Sequence, residues 1–328
     1  MKGNSRSVNR IKFIHLIDHD GTIYSLVSPL SRFPEHQIIT SFFNMDKDQI
    51  KLIEKLSKDK EVKCILHATG NKKYFYNLKE RLARKFNNRF YIFLHVSPSH
   101  FLIKDRLNEL RVIKDLSNKF SLKILIPSKE LSKEYSYYGL NTIPIQLGID
   151  FDINNTARDF YSAEKEKIIS VCTAEEGIYH YIKGVDQFSR LMKDLKLDKQ
   201  SLVLGNKNQL FEGIKTKKVS QDIFLKYLRN SKAYIQLSRT ESYNLSAVYA
   251  KRLKVPIIVS NIDGHKDNVK FGFKVNSLDE AKKALKTILT SPDSPKLKRI
   301  LEDNYKDSLK RETLNNFRNS FNKLNGLE

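Results

Sequence analysis

The chain has 328 residues, 40% of them hydrophobic; that is long for one core and suggests two domains, with enough apolar content to exclude disorder. Its formal net charge is +22, and such a basic excess points to an anionic partner. Residues 1–150 hold 26 Lys and Arg against 15 Asp and Glu, and the remainder holds 33 against 22. Each half therefore nets +11, which fits solvated surface lysines better than a dedicated nucleic-acid domain.

The first segment, MKGNSRSVNR, is basic, but IKFIHLIDHD follows it without the cleavage site of a signal peptide. No apolar run approaches the roughly 20 residues of a membrane span. Cys64 and Cys172 offer neither a disulfide framework nor a metal-ligand spacing. These features lead us to expect a cytoplasmic protein.

IKFIHLI (11–17) predicts a strand that ends at the turn DHDG. HQIITSFF predicts a second strand and DQIKLIEKLSK an amphipathic helix. VKCILHA, FYIFLHVS and KILIPS are further short apolar runs, separated by polar helical segments. After a polar stretch near 150–165, read as a hinge, the pattern restarts with IISVCTA, a helix through VDQFSRLMKDL, SLVLG and QDIFLKYLRNS. AYIQLS, a helix around LSAVYAKRL and VPIIVS follow, and the tail from Lys296 is a charged helical run. Strands alternating with helices predict parallel sheets covered on both faces. The architecture expected is two doubly wound domains sharing a cleft, 1–152 and 153–305, with a C-terminal helix over 306–328. Ligands bind such sheets at the carboxyl ends of the strands, which marks the loops after Ile17, Leu94, Val171, Gly205, Leu237 and Ser260.

The loop from Ser238 to Leu245 precedes a helix. Amides at Asn244, Leu245 and Ser246 would stand at the positive end of its dipole, a seat for phosphate. Glu241 cannot bind phosphate but can accept hydrogen bonds from hydroxyls beside one, so the pair of features suggests a phosphorylated sugar. The plainer reading is a helix-start acid stabilised by the dipole. His95 follows the strand FYIFL; it reads either as a pocket residue or as a hydrogen-bonded strand-end histidine. No clustered Cys or His ligand set and no convincing D-x-D pair points to a metal. Residues 72–89 carry seven basic residues and one acid, with Tyr74, Phe75, Leu78, Leu82 and Phe86 at helical spacing. This segment suits an anionic membrane surface, or else is a surface helix whose apolar stripe packs on the sheet.

From Ser238 onward the sequence resembles the retaining nucleotide-sugar glycosyltransferases of the GT-B fold (glycosyltransferase family 4-like, glycosyl transferases group 1). Their signature is S-x-x-E-x-F-G-L-x-x-x-E-A-x-A-x-G-x-P-V-V-x-S-x-x-G; Ser238, Glu241, Leu245, Ala250, Pro256 and Ser260 match it, with Tyr243 at its phenylalanine and Gly264 one position past its last glycine. IKGVDQFSRLMKDL resembles the family's K-G-x-D segment, LVLG its strand ending in glycine, and IPSKELSKEYSYYGLNTIPIQLGID the segment closing its first domain. The resemblance covers about residues 88–290. Two positions depart from the pattern. The family's second glutamate, which holds the nucleotide ribose, falls on Tyr249, and an arginine falls near Thr173.

The resemblance implies transfer of a sugar from a nucleoside-diphosphate donor, a UDP-sugar, with retention and without a metal or further cofactor. The acceptor would be a cell-surface glycan, a lipid-linked molecule or a protein, and nucleic acid is not expected as a partner. Glu241 would position donor hydroxyls, Lys183 would neutralise the diphosphate with help from Arg239, Lys207 or Lys266, and His95 would line the sugar pocket. Gly21, Thr173, Gly205, Ser238, Arg239, Tyr243, Asn244, Leu245, Ser246 and Tyr249 complete the expected donor site. Peripheral attachment to the inner membrane face through 72–89 is expected from the same family. A catalytically silent GT-B subunit that binds or chaperones a partner enzyme is the rival reading, prompted by Tyr249 and Thr173.

Overall fold

A computed structural model describes residues 11–17, 22–40, 47–68, 75–104, 106–150, 167–172, 178–205 and 207–326. They form two compact units, divided after Asp150 and again between Glu312 and Thr313.

The first unit holds a six-stranded, wholly parallel sheet. Its strands are β1 (Phe13–Ile17), β2 (His36–Ile39), β3 (Lys63–Ala68), β4 (Phe90–Leu94), β5 (Lys123–Ile126) and β6 (Thr142–Pro144), in the order β2-β1-β3-β4-β5-β6. β1 and β4 are buried along their whole length, as strands covered on both faces must be. Register sets the two faces. Ile14, Leu16, Cys64, Leu66, Phe90, Ile92 and Leu94 share one apolar core with Leu82, Phe86, Leu110, Ile113 and Leu116 of the helices Phe75–Phe86 and Leu107–Phe120. Leu82 and Phe86 thus pack as the surface-helix reading of 72–89 requires.

The second unit holds a seven-stranded sheet. Its strands are β7 (Ile168–Cys172), β8 (Ser201–Gly205), β9 (Gln209–Phe211), β10 (Ile214–Lys218), β11 (Ala233–Gln236), β12 (Ile257–Ser260) and β13 (Phe273–Val275). Their order is β13-β12-β11-β7-β8-β10-β9, parallel except for the β9–β10 hairpin. Glu212 and Gly213, both with positive φ, form its two-residue turn between Phe211 and Ile214, the arrangement a tight hairpin favours. One core lies under the helix Val185–Asp194, and another joins Phe224, Leu225 and Leu228 to Ala247, Ala250 and Val259.

The tail differs from the single helical run expected over 306–328. The helix Pro295–Arg311 belongs to the second unit, and the chain returns to the first unit from Thr313 as the helix Leu314–Asn322. The break has local causes. The Thr313 hydroxyl caps the Asn316 amide at 3.1 Å, Thr313 bridges to Ile149, and Glu312 is fully buried.

Candidate functional site

The candidate site lies at the carboxyl ends of β11 and β12. Apolar residues bury β11 on both faces, and its last residue, Gln236, acts as a polar hub. Its amide nitrogen donates to the Lys183 carbonyl at 2.6 Å and to Ser238 Oγ at 3.2 Å. Its oxygen accepts from the Val171 amide at 3.3 Å and the Tyr234 hydroxyl at 3.2 Å. Gly184 brings the Lys183 turn down onto this strand end. Its φ is +66°, and a Cβ there would stand 1.8 Å from the Leu237 carbonyl oxygen. Only glycine combines that conformation with that approach.

The result is an ion pair between residues 58 positions apart: Lys183 Nζ donates to Glu241 Oε1 at 2.5 Å. Ser238 Oγ donates to the same oxygen at 3.3 Å. The Glu241 side chain is 8% exposed and that of Lys183 is 26% exposed. The carboxylate is therefore sheltered, whereas an anion can still approach the ammonium, which carries three donors. Deleting the sheltered Glu241 carboxylate would strand Lys183 and Ser238. The loop's far side is fixed by Gly264, where a Cβ would meet the Glu241 carbonyl oxygen at 2.0 Å.

Asn244 starts the helix Leu245–Arg252, and its Oδ1 accepts from the Ala247 amide and the Tyr234 hydroxyl, both at 3.0 Å. Its Nδ2 donates to His265 Nε2 at 3.1 Å, and His265 Nδ1 donates to the Ser260 carbonyl at 2.9 Å. These bonds fix the tautomer of His265. Burial lowers its pKa, with the Glu241 carboxylate opposing that shift. The Leu245 and Ser246 amides belong to the first turn, whose N–H groups have no i−4 acceptor. The arrangement can neutralise an anion at Lys183 and the helix start while Glu241 accepts from neighbouring hydroxyls.

Not every expected residue converges here. The Arg239 guanidinium makes two bonds to Asp186, at 2.8 and 2.7 Å, and a third to the Tyr181 carbonyl at 2.6 Å. A guanidinium held by three acceptors is a brace between elements, not a spare cation. Lys266 pairs with Asp263 at 2.6 Å. Tyr243 is buried and its hydroxyl donates to Glu312 at 3.3 Å. Tyr249 stands edge-on to Phe224 and packs on the core. Gly205 ends β8 where a Cβ would stand 2.4 Å from the Cys172 carbonyl oxygen, so strand packing demands glycine there. Gly21, Thr173, Lys72, Lys73, Tyr74 and Asp18 and Asp20 of the DHDG turn lie outside the described residues. Sequence reasoning did not single out Gln236, Asp186 or His265; a polar residue ending a buried strand was the available signal for Gln236.

In the first unit, His95 follows β4 and is half-buried, stacked on Phe93 with centroids 4.2 Å apart. Its Nε2 lies 2.8 Å from His67 Nδ1. Desolvation lowers its pKa to about 3. No group of three or more His, Cys, Asp or Glu suited to a metal ion occurs among the described residues.

No protein-family model matches this chain, and no curated protein sequence matches it. Solved structures do. HepE of Anabaena in complex with UDP and glucose is 15% identical, with a TM-score of 0.66 over 97% of this chain and 100% of that one. Sucrose-phosphate synthase of Thermosynechococcus elongatus is 13% identical, with a TM-score of 0.67 over 95% and 98% of the two chains. The UDP-forming trehalose-phosphate synthase of Burkholderia xenovorans, with glucose-6-phosphate, is 12% identical, with a TM-score of 0.65 over 95% and 99%. The chain shares the fold of these GT-B glycosyltransferases, with two Rossmann-like units.

Proposed function

We propose that this protein is a nucleotide-sugar glycosyltransferase that moves a sugar from a UDP-sugar donor, with retention and without a metal, to a glycan, lipid-linked or protein acceptor. The observation that carries the reading is the Lys183–Glu241 pair, at 2.5 Å, beside the start of the helix Leu245–Arg252. A leaving nucleoside diphosphate needs its developing charge neutralised; Lys183 and the first-turn amides supply this. Glu241 then exchanges its bond from Lys183 for bonds from donor hydroxyls. No enzymic nucleophile is required, because the acceptor oxygen attacks on the face the leaving group departs from. The choice of UDP rests on relatives in fold that were solved with UDP-glucose or are named as UDP-forming.

Titration calorimetry with UDP-, GDP- and ADP-sugars, followed by a nucleotide-release assay, tests the proposal. We expect UDP-sugar binding and slow UDP release that acceptors accelerate. Tight binding without turnover on any acceptor would favour a silent subunit, a reading that Tyr249 supports by packing on Phe224 where the similar enzymes carry a ribose-binding glutamate. No nucleotide binding at all would sink both readings.

A further inference from the structure

Three neighbouring strands of the first unit, and the residue just past a fourth, each bring one histidine to the same face of the sheet. Register pairs Phe13 with His36, Ile17 with His67, and His67 with Phe93. His36, His15, His67 and His95 therefore advance two residues per strand, on a diagonal across β2, β1, β3 and β4. The line starts at the amino end of the sheet and finishes at its carboxyl edge, where such folds bind ligands. Consecutive rings are hydrogen-bonded: His36 Nδ1 to His15 Nε2 at 2.8 Å, His15 Nδ1 to His67 Nε2 at 2.9 Å, and His67 Nδ1 to His95 Nε2 at 2.8 Å. His15, His36 and His67 are buried. Phe13 stacks on His36, and Phe321 stands edge-on to both His36 and His15.

A neutral imidazole has one N–H and one lone pair, so a line of N–H···N bonds is directional and all four rings must point the same way. The terminus decides which way. His36 Nε2 is buried with no partner. In one direction that atom is a lone pair; in the other it is a stranded N–H. Buried orphan N–H groups are the rarer and costlier of the two, so the direction with every proton on Nδ1 prevails.

We propose that His36, His15 and His67 are positioning residues that lock His95 as a neutral Nδ1–H donor at the carboxyl edge of the sheet. The proposal rests on the sugar-pocket role given to His95 above. A second proton on His95 would have to sit on Nε2, facing the Nδ1–H of His67. His67 would then move its proton to Nε2, His15 would follow, and His36 would be left with a buried N–H on Nε2. Protonation at the rim thus carries a penalty at the far end of the line, and the donor keeps its polarity. Burial acts in the same sense on all four rings. The charged groups facing the line are Glu35 and Arg318, which pair beside His36, and Lys63, whose register with Phe13 places it on the same face.

The test is long-range 1H–15N NMR of the histidine rings in the full chain, followed with pH. In the wild type His95 should carry its proton on Nδ1 and resist titration, and His15, His36 and His67 should show the same tautomer. A His95 proton on Nε2, or an ordinary titration, overturns the proposal without bearing on whether the chain transfers sugar. His67→Phe keeps a flat ring while cutting the line; His36→Phe removes its far end. In His36→Phe the buried terminus passes to His15 Nε2 and the His95 proton should stay on Nδ1, whereas in His67→Phe His95 should populate both tautomers and its titration midpoint should move up. If the chain is a transferase, kcat of His67→Phe should fall about tenfold or more with KM for the donor little changed. A His95 spectrum unaltered by His67→Phe would show that the line does not act on it.

Discussion

The two units bury polarity in opposite ways. The first threads a line of neutral rings through its sheet. The second buries formal charge: Lys251 Nζ meets Glu312 Oε1 at 2.7 Å and Asp307 Oδ2 at 3.4 Å, and Arg311 clamps Asp307. Arg252 donates to the carbonyls of Ser308 and Glu312, at 3.1 and 3.0 Å, and so ties the helix Leu245–Arg252 to the end of Pro295–Arg311. Burial raises the Glu312 carboxyl and lowers the Lys251 ammonium, while each partner's charge opposes the other's shift. A neutral line tolerates shortening at an end, whereas a charged cluster does not tolerate losing a member. The histidines make the first unit sensitive to pH, and the ion cluster makes the second sensitive to single substitutions.

The largest effect should follow from breaking the ion cluster. Glu312→Ala strands Lys251 without its nearest carboxylate and should cost about 3–5 kcal/mol in urea unfolding. The double variant Lys251→Met, Glu312→Leu should recover most of that loss, because apolar groups of similar size often replace buried pairs without penalty. A single variant as stable as the wild type would remove the contrast between the units.

Two glycines compare the units directly. A Cβ on Gly264 would meet the Glu241 carbonyl oxygen at 2.0 Å, and one on Gly148 would meet that of Thr313 at 2.0 Å. Each Gly→Ala should destabilise by about 1–3 kcal/mol, the usual cost of overpacking. Gly264→Ala should also lower kcat, and Gly148→Ala should leave it unchanged once the fraction folded is corrected for.

The pH response separates the units more gently. A histidine held neutral by folding contributes stability that is whole above about pH 6.5 and is lost as pH falls toward its folded value, because the unfolded chain then binds protons the folded one refuses. For His36 that value is about 4. Each such histidine steepens the stability curve by up to about 1.4 kcal/mol per pH unit within its window. Among the described residues four lie in the first unit, against His180 and His265 in the second. The first unit should therefore weaken earlier between pH 6.5 and 4, and His36→Phe should flatten its curve. Urea melts across that range, followed by probes in each unit, provide the check.

The parallel sheets were legible in the sequence because buried strands such as FIHLI and IIVS are short apolar runs bounded by polar ones. The hairpin of β9 and β10 was not, since IKTKK is half-exposed and mostly charged. Glu241 and Lys183 were legible as separate candidates. Their contact was not, because it depends on Gly184 lying against Leu237 and on Gln236 holding the Lys183 carbonyl. The histidine line was invisible for a similar reason: each strand shows one unremarkable histidine, and only register aligns them. Tyr243 was expected at the donor, yet its ring is buried and its hydroxyl reaches Glu312, an interior partner that a motif match does not reveal.

The smallest effect concerns membranes. With Leu82, Ala83 and Phe86 committed to the core, the helix Phe75–Phe86 retains exposed cations such as Arg81 and Arg84 but not that part of its apolar stripe. Binding to anionic vesicles should be weak and salt-sensitive, at most about 1 kcal/mol per basic residue near the surface. Co-sedimentation that persists in high salt would mean that another surface inserts.

The proposed donor seat is tested most directly by calorimetric titration of UDP and UDP-glucose into the wild type and Glu241→Gln, which keeps the shape of the side chain and removes its charge. We predict that both proteins bind UDP, that the wild type binds UDP-glucose more tightly than UDP, and that Glu241→Gln loses this gain together with UDP-glucose turnover. Equal affinities and turnover in the two proteins, or no binding of either ligand to the wild type, would contradict the assignment of Glu241 and Lys183 as the seat of a nucleotide sugar.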